Sequence, residues 1–375
     1  MTHIVASTPG RICLFGEHQD YLGLPVIAAA ISRRMTIEAH PIAHPQVRLA
    51  LPDVNRKVRF SIDQFPLHYV HGRDYFRSAM NVLYREGLRF SVGIEGRVTG
   101  NIPINAGTSS SSALIVTWLN VLSQLADEPR TFTPAQLAEL GYMAEVLEFG
   151  EPGGMMDHYS TAIGGVIYLE SKPKIRVESF PFSGADSGLG TFVLGDSGEP
   201  KDTIGILRHV KYGMLDAMAK MRAFDPAFDV ETMPAEAITD YDHLLTPDER
   251  ALVRGNLSDR DVLRTALALF RSGTIDHHLL GQLLTTHQTS LREAKRVSTP
   301  KIDRMIDAAL GAGALGGKIN GSGGGGCMFA YAPTKPEMVA EAIEQAGGKA
   351  YIISVAEGTT VATKTGTGSK SIVVN

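Results

Sequence analysis

The sequence predicts a two-part α+β fold. Short apolar runs alternate with helical segments, and glycine-rich stretches sit between apolar strands or directly ahead of an apolar helix. The 375 residues suffice for one large domain or two packed ones.

In chain order, strands are expected at His3–Ser7, Ile12–Phe15, Met35–His40, Lys57–Ser61 and Phe90–Gly96, where apolar residues are bounded by Gly, Pro and polar turns. A helix starting near Ser109 is apolar nearly all round, which predicts a buried helix with Trp118 in the core. Thr133-Pro134 opens a second helix to about Phe149, with Thr133 as cap and Pro134 at the first helical position. Gly164–Leu169 and Thr191–Leu194 read as buried strands. The stretch from about 202 to 310 is mainly helical, with 233–247 as a connector. Strands at Ala314–Ile319, Cys327–Tyr331 and Ala350–Val355 then flank a helix from Lys335 to Gln345. The tail after Glu357, rich in Gly, Thr, Ser and Lys, is expected to be partly disordered. The boundary is expected near 195–205, dividing the chain into 1–198 and 199–375.

A net charge of -4 favours neither nucleic acid nor an acidic membrane as partner. No run of about 18 apolar residues predicts a membrane span, and no basic-then-apolar N-terminal pattern predicts secretion. The two cysteines, Cys13 and Cys327, lack metal-ligand spacing, and a reduced cytoplasmic setting fits them.

Four segments carry chemistry. Pro9–Tyr21 gathers Arg11, Glu17, His18 and Asp20. A guanidinium there can stabilise phosphoryl charge, and the acidic and imidazole groups can hydrogen-bond a polyol. A polar hairpin with a surface salt bridge would look the same. In Pro103–Ala113, four serines precede the buried helix, where free amides and the helix dipole favour an anion. A serine N-cap alone needs only one of them. Lys318–Cys327 contains G-x-G-x-x-G, yet a strand follows it, so the dinucleotide meaning is rejected; no Walker A loop occurs either. Gly153–His158 presents Asp157 as a group to accept or orient a hydroxyl proton, although a lone Asp in a turn is often a cap. Upstream, Glu145 and Glu148 are both available to help hold Mg²⁺. His277, His278 and His287 lie on expected helices without ligand spacing and read as surface or packing residues.

In order and spacing, these segments resemble the GHMP kinases, most of all the galactokinases. Pro9-Gly10-Arg11 through Gly16-Glu17-His18-Gln19-Asp20-Tyr21 is similar to the galactokinase signature P-G-R-V-N-L-I-G-E-H-T-D-Y. Ser109–Ser111 resembles P-x-G-A-G-L-S-S-S-A, Gly154–Asp157 resembles G-I-M-D, and Gly321–Gly326 resembles G-A-G-x-G-G. The resemblance runs collinearly to about residue 357. It implies an N-terminal domain like ribosomal protein S5 domain 2, a ferredoxin-like C-terminal domain, and a site between them. It further implies an ATP-dependent sugar 1-kinase for galactose or a related sugar, with ATP and Mg²⁺ as cofactors and a monomer or dimer as assembly. By that resemblance Asp157 and Arg11 are catalytic, and Glu17, His18, Asp20 and Gly154 face the sugar. Asn105, Ala106, Gly107, Ser109, Ser110, Ser111, Ser112, Gly321 and Gly323 surround ATP, and Ser111 with Glu145 ligates Mg²⁺.

The chain departs from the pattern at Asn105, Thr108, Ser112, Gln19 and His158, and it has no counterpart of a sugar-facing tyrosine in Glu199–Arg208. Leu24–Ala30 is reminiscent of mevalonate kinases, whose first motif carries Lys in place of Arg11. A mevalonate-type kinase and a non-catalytic sugar- and ATP-binding sensor are therefore the alternatives.

Overall fold

The computed structural model describes residues 3–372 except 105, 152, 183, 185–187, 201–204, 207 and 366–367. The described residues build two sheets. The first begins with β1 (His3–Phe15) and β2 (Val26–Ile42), which pair antiparallel over most of β1. The expected strands His3–Ser7 and Ile12–Phe15 are one strand with a register shift between Pro9 and Arg11. Such an irregularity re-aims side chains, here at the position of Arg11. β3 (Gln46–Leu51), β4 (Arg56–Ser61) and β5 (Gly93–Gly100) extend the sheet beyond β2. β6 (Val166–Glu170) pairs with the first residues of β2, and β7 (Arg176–Phe180) pairs with β6.

Four helices cover this sheet: α1 (Tyr75–Arg85), α2 (Ser110–Leu125), α3 (Pro134–Tyr142) and α4 (Met156–Ile163). α3 starts as the sequence predicts. Thr133 and Gln136 form a reciprocal capping box, and Pro134 follows. The helix continues through a π-helical turn, Met143–Leu147, which carries Glu145. Trp118 on α2 is fully buried and donates its indole N–H to the Phe76 carbonyl at 3.1 Å.

The second sheet holds β8 (Phe192–Asp196), β9 (Gly316–Ile319), β10 (Cys327–Tyr331) and β11 (Lys349–Ile353) in the order β11-β8-β10-β9, all antiparallel. With the helices between β8 and β9 and one between β10 and β11, this is the ferredoxin-like β-α-β-β-α-β arrangement. Those helices are α5 (Gly213–Phe224), α6 (Pro247–Arg271), α7 (His277–Thr289), α8 (Pro300–Gly311) and α9 (Pro336–Gln345). The expected connector at 233–247 contains a short 3₁₀ helix, Ala235–Tyr241. Among the described residues no helix is long and apolar enough to cross a membrane.

β1 and β2 join the two parts because strand side chains alternate between faces. Cys13, Val26 and Ala28 belong to the core under α1–α4. Ile12, Leu14, Ile27 and Ala29 belong to a core shared with α6, α7 and the second sheet. The tail differs from expectation: β12 (Thr360–Thr365) returns to pair with β1, and β13 (Gly368–Ile372) pairs with β12. The free edge of β1 supplies the hydrogen bonds that order it. By sheet membership, Phe192–Asp196 goes with the second part and Thr360–Ile372 with the first.

Trp118→Ala should destabilise the chain by about 3–5 kcal/mol, since it removes a fully buried indole from a packed helix face. Denaturant unfolding reads this directly. A loss below about 1 kcal/mol would mean that α2 does not anchor the first core.

Candidate active site

A cleft of about 790 Å³ opens where the two parts meet, and the four chemistry-bearing segments line it. Arg11 lies on β1 just past the register shift, and Asp157 lies in the first turn of α4. The guanidinium donates through Nε to Asp157 Oδ1 at 2.8 Å, with Nη2 at 2.7 Å from the same oxygen. Its Nη1 donates to the Gly107 carbonyl. Burial pushes the Asp157 carboxyl up, but the charges of Arg11 and then His158 outweigh it and hold Asp157 below its ordinary value. Asp157 is therefore an anion at neutral pH, one-third exposed towards the cleft.

Ser109 precedes α2 with φ 59° and does not cap it. Its hydroxyl is buried close to Asp157, which it helps to hold down, and makes no hydrogen bond of ordinary geometry among the described residues. The first amides of α2 thus remain open towards the cleft, with the positive end of the helix dipole behind them. Ala106, Gly107, Ser110, Ser111 and Ser112 line the same wall; Asn105 lies outside the described residues. The loop is tied down from the second part. Asn320 accepts from the Cys13 amide at 2.9 Å and donates to the Gly107 carbonyl at 2.9 Å, and the Cys327 amide donates to Ala106 at 2.9 Å.

Glu145 faces the start of α2. Its Oε2 accepts from Ser112 Oγ at 2.7 Å and pairs with His158 Nε2 at 2.8 Å. Burial raises this carboxyl, and hydrogen bonds from His158, Ser111 and Ser112 more than compensate, leaving it below its ordinary value. Glu148, the other candidate, is turned away: Arg85 and Tyr69 both donate to it. Among the described residues no group of three or more His, Cys, Asp or Glu side chains is gathered as a metal site. A hard cation would take Glu145 and Ser111 together with phosphate oxygens, and this all-oxygen donor set suits Mg²⁺.

The loop after β1 carries the remaining candidates. His18 takes φ 64°; its Nε2 donates to the Ser322 carbonyl at 2.9 Å, so Nδ1 accepts from the Tyr21 hydroxyl at 2.9 Å. Burial, and then the neighbouring Asp157 charge, push Asp20 up to about 6. Gly154 lies against it: a Cβ at this position would sit 1.8 Å from Asp20 Oδ2, so any side chain there would displace the Asp20 carboxyl. Of the five non-glycine residues with positive φ among those described, His18, Arg73 and Ser109 all line the cleft, which concentrates backbone strain there.

Two expected site residues are placed differently. Glu17 borders the cleft, but its carboxylate is almost wholly covered and receives the Lys318 ammonium. Gly323 does not line the cleft; a side chain there would meet the Val297 carbonyl at 2.6 Å. Gly321 does line it, against Gly107. Sequence reading did not select Arg73, Tyr75 and Glu151, which wall the cleft beside Glu145. Arg73 donates to both Glu151 oxygens at 2.7 and 2.8 Å. Nothing in their local spacing marks them; Tyr75 opens α1 just after Arg73, and Glu151 comes from the loop ahead of α4.

Comparison with known proteins matches three family models: "GHMP kinases N terminal domain" over residues 74–165, "GHMP kinases C terminal" over 266–353 and "Galactokinase galactose-binding signature" over 2–41. A mevalonate kinase of Pyrococcus furiosus is 31% identical over 360 residues, covering 94% of this chain and 96% of that protein. A galactokinase of the same organism is 27% identical over 336 residues, covering 88% and 89%. The crystal structure of Lactococcus lactis galactokinase complexed with galactose superposes with a TM-score of 0.81 at 22% identity, covering 96% and 95%. The Methanococcus jannaschii mevalonate kinase gives 0.73 at 19%, covering 95% and 99%.

Asp20 generates a pH prediction. Its folded value of about 6 exceeds the ordinary 3.8, so folding favours the protonated form. Its contribution to stability is full below 3.8 and is lost as pH rises through about 6. Asp20→Asn should therefore gain melting temperature relative to the parent as pH rises across that window. A difference that shrinks with rising pH would contradict the assigned environment.

Proposed function

Because the chain belongs to the GHMP kinases and is an ATP-dependent small-molecule kinase, we propose that its acceptor is a neutral sugar, galactose or a relative, phosphorylated on its anomeric hydroxyl. The observation that carries this reading is Asp20. It brings a second carboxyl into the cleft beside Asp157. A polyol can hydrogen-bond both groups, whereas a carboxylate-bearing acceptor would be repelled by them. Among the described cleft residues the arginines are Arg11 and Arg73, and each already faces a carboxylate.

Asp157, kept ionised by Arg11, accepts a hydrogen bond from the acceptor hydroxyl and aims its oxygen at the phosphoryl group. Phosphoryl transfer is loose, so orientation matters more than base strength, and a carboxyl below its usual range serves. Arg11 balances the charge that develops next to Asp157. The open amides of α2 and the Ser109 hydroxyl meet phosphate oxygens. Glu145 and Ser111 would hold Mg²⁺, which when bound supplies charge neutralisation on the phosphates. His18 and Asp20 orient the sugar, and Gly154 leaves room for Asp20.

A second reading, a mevalonate-type kinase, is favoured by the 31% identity over nearly the whole chain. ADP release with ATP and Mg²⁺ separates the two, measured on galactose, glucose, arabinose, fucose, N-acetylgalactosamine, galacturonate, glucuronate and mevalonate. Turnover on a neutral sugar, with mevalonate silent, is expected. Turnover on mevalonate alone would establish the second reading. Ser111→Ala should raise the Mg²⁺ concentration needed for half-maximal rate, and an unchanged titration would remove Ser111 from the metal site.

A further inference from the structure

Beneath the acceptor loop lies a cluster of five ionisable side chains that the mechanism above does not use: Glu17, Asp259 on α6, His287 on α7, Lys295, and Lys318 on β9. Each is at most 1% exposed. Lys318 Nζ donates to the Glu17 carboxylate and, at 3.0 Å each, to the Cys13 and Ile319 carbonyls. Lys295 Nζ donates to the Glu17 main-chain carbonyl at 2.9 Å and pairs with Asp259 at 2.7 Å. His287 sits between the two carboxylates, 3.7 Å from Glu17 and 3.6 Å from Asp259. Burial and then the Lys318 and Lys295 charges keep its imidazole neutral, and burial pushes the Asp259 carboxyl up. Sequence reading treats His287 as an ordinary helix residue; the structure places it inside this cluster.

The arrangement grips Glu17 twice, by its main chain and by its side chain, and both grips come from the second part of the molecule. The residues that follow Glu17 turn the chain tightly. Gln19 N donates to Gly16 O, and Leu24 N donates to Gln19 O. His18, in its left-handed conformation, and Asp20 then face the cleft.

We propose that Glu17 is a positioning residue, and that Lys318, Lys295 and Asp259 form a buried clamp fixing the loop from which His18 and Asp20 reach the acceptor. The clamp makes acceptor binding depend on docking of the second sheet and α6 onto β1. Breaking it loosens the loop and leaves the Arg11–Asp157 pair and the start of α2 in place, because neither is hydrogen-bonded to Glu17, whose charge alone reaches Arg11. The proposal rests on the reading of His18 and Asp20 as acceptor-facing groups.

Amide hydrogen exchange of the full-length chain tests the clamp without any acceptor. In Glu17→Gln and Lys318→Met, amides of residues 16–24 should exchange about tenfold faster, with α2 unchanged. Lys318→Arg should restore the parent rate. Unchanged exchange in this loop overturns the clamp, whatever the enzyme phosphorylates. If Lys318→Met does not fold, Glu17→Gln and Lys295→Met carry the measurement. On a sugar that turns over, Glu17→Gln should raise acceptor KM by about tenfold or more and leave ATP KM unchanged. The rise should be equal across monodeoxy analogues of that sugar. If one deoxy analogue alone escapes the rise, Glu17 touches the missing hydroxyl and the positioning role falls. If no sugar turns over, the sugar-acceptor reading fails, and the exchange result still decides the clamp.

Discussion

The ion pair between Arg11 and Asp157 ties together β1, the start of α4 and, through the Gly107 carbonyl, the loop ahead of α2. Each of these elements has its own reason to form. β1 forms by pairing with β2, α4 by packing under the first sheet, and α2 by burying an almost wholly apolar surface. None of those reasons brings a guanidinium to a carboxylate. The register shift at Pro9–Arg11 and the position of Asp157 in a first turn do. Removing either partner would leave the other charge buried and unmatched, which costs far more than the pair contributes on its own.

Around this pair the structure separates two kinds of charge. Asp157 and Glu145 are drawn below their ordinary values by cations and hydrogen-bond donors, which suits groups that must meet a hydroxyl or a cation as anions. Asp20 goes the other way, because it is buried beside an anion that already has its counter-ion. Beside Asp157 and Asp20, hydroxyls are better matched than a further carboxylate, and the proposed sugar reading rests on this. The charges of Glu17, Asp259, Lys295 and Lys318 are buried and paired with one another, with Glu17 at the border of the cleft.

Much of this was legible in the sequence where local chemistry decides the outcome. Thr133-Pro134 announces its helix because a capping box and an N1 proline act within one turn. The apolar helix after Ser109 is read correctly as buried, but Ser109 does not cap it; its left-handed backbone turns the hydroxyl aside. The family motifs locate the cleft because they are collinear, and they bring Arg11, Asp157, Ser111, Glu145 and Gly154 to one place. The Glu17 environment was not legible. Its partners lie on α6, α7 and β9, hundreds of residues away, and only the topology joins them. The strand Thr360–Thr365 went unread for a related reason. Its composition suggests a loose tail, and its order comes from the open edge of β1. Short, half-exposed strands such as Gln46–Leu51 and Arg176–Phe180 carry too little periodicity to stand out.

That Asp157 is the group on which phosphoryl transfer turns is tested most directly by Asp157→Asn, a change that keeps size and removes charge. ATP binding by calorimetry and ADP release with the sugar that the parent turns over should be measured on the same preparation. The account predicts nucleotide affinity close to the parent's and a turnover rate lower by about 10²-fold or more. Turnover near the parent's rate, with nucleotide still bound, would contradict it and move the acceptor away from the Arg11–Asp157 pair.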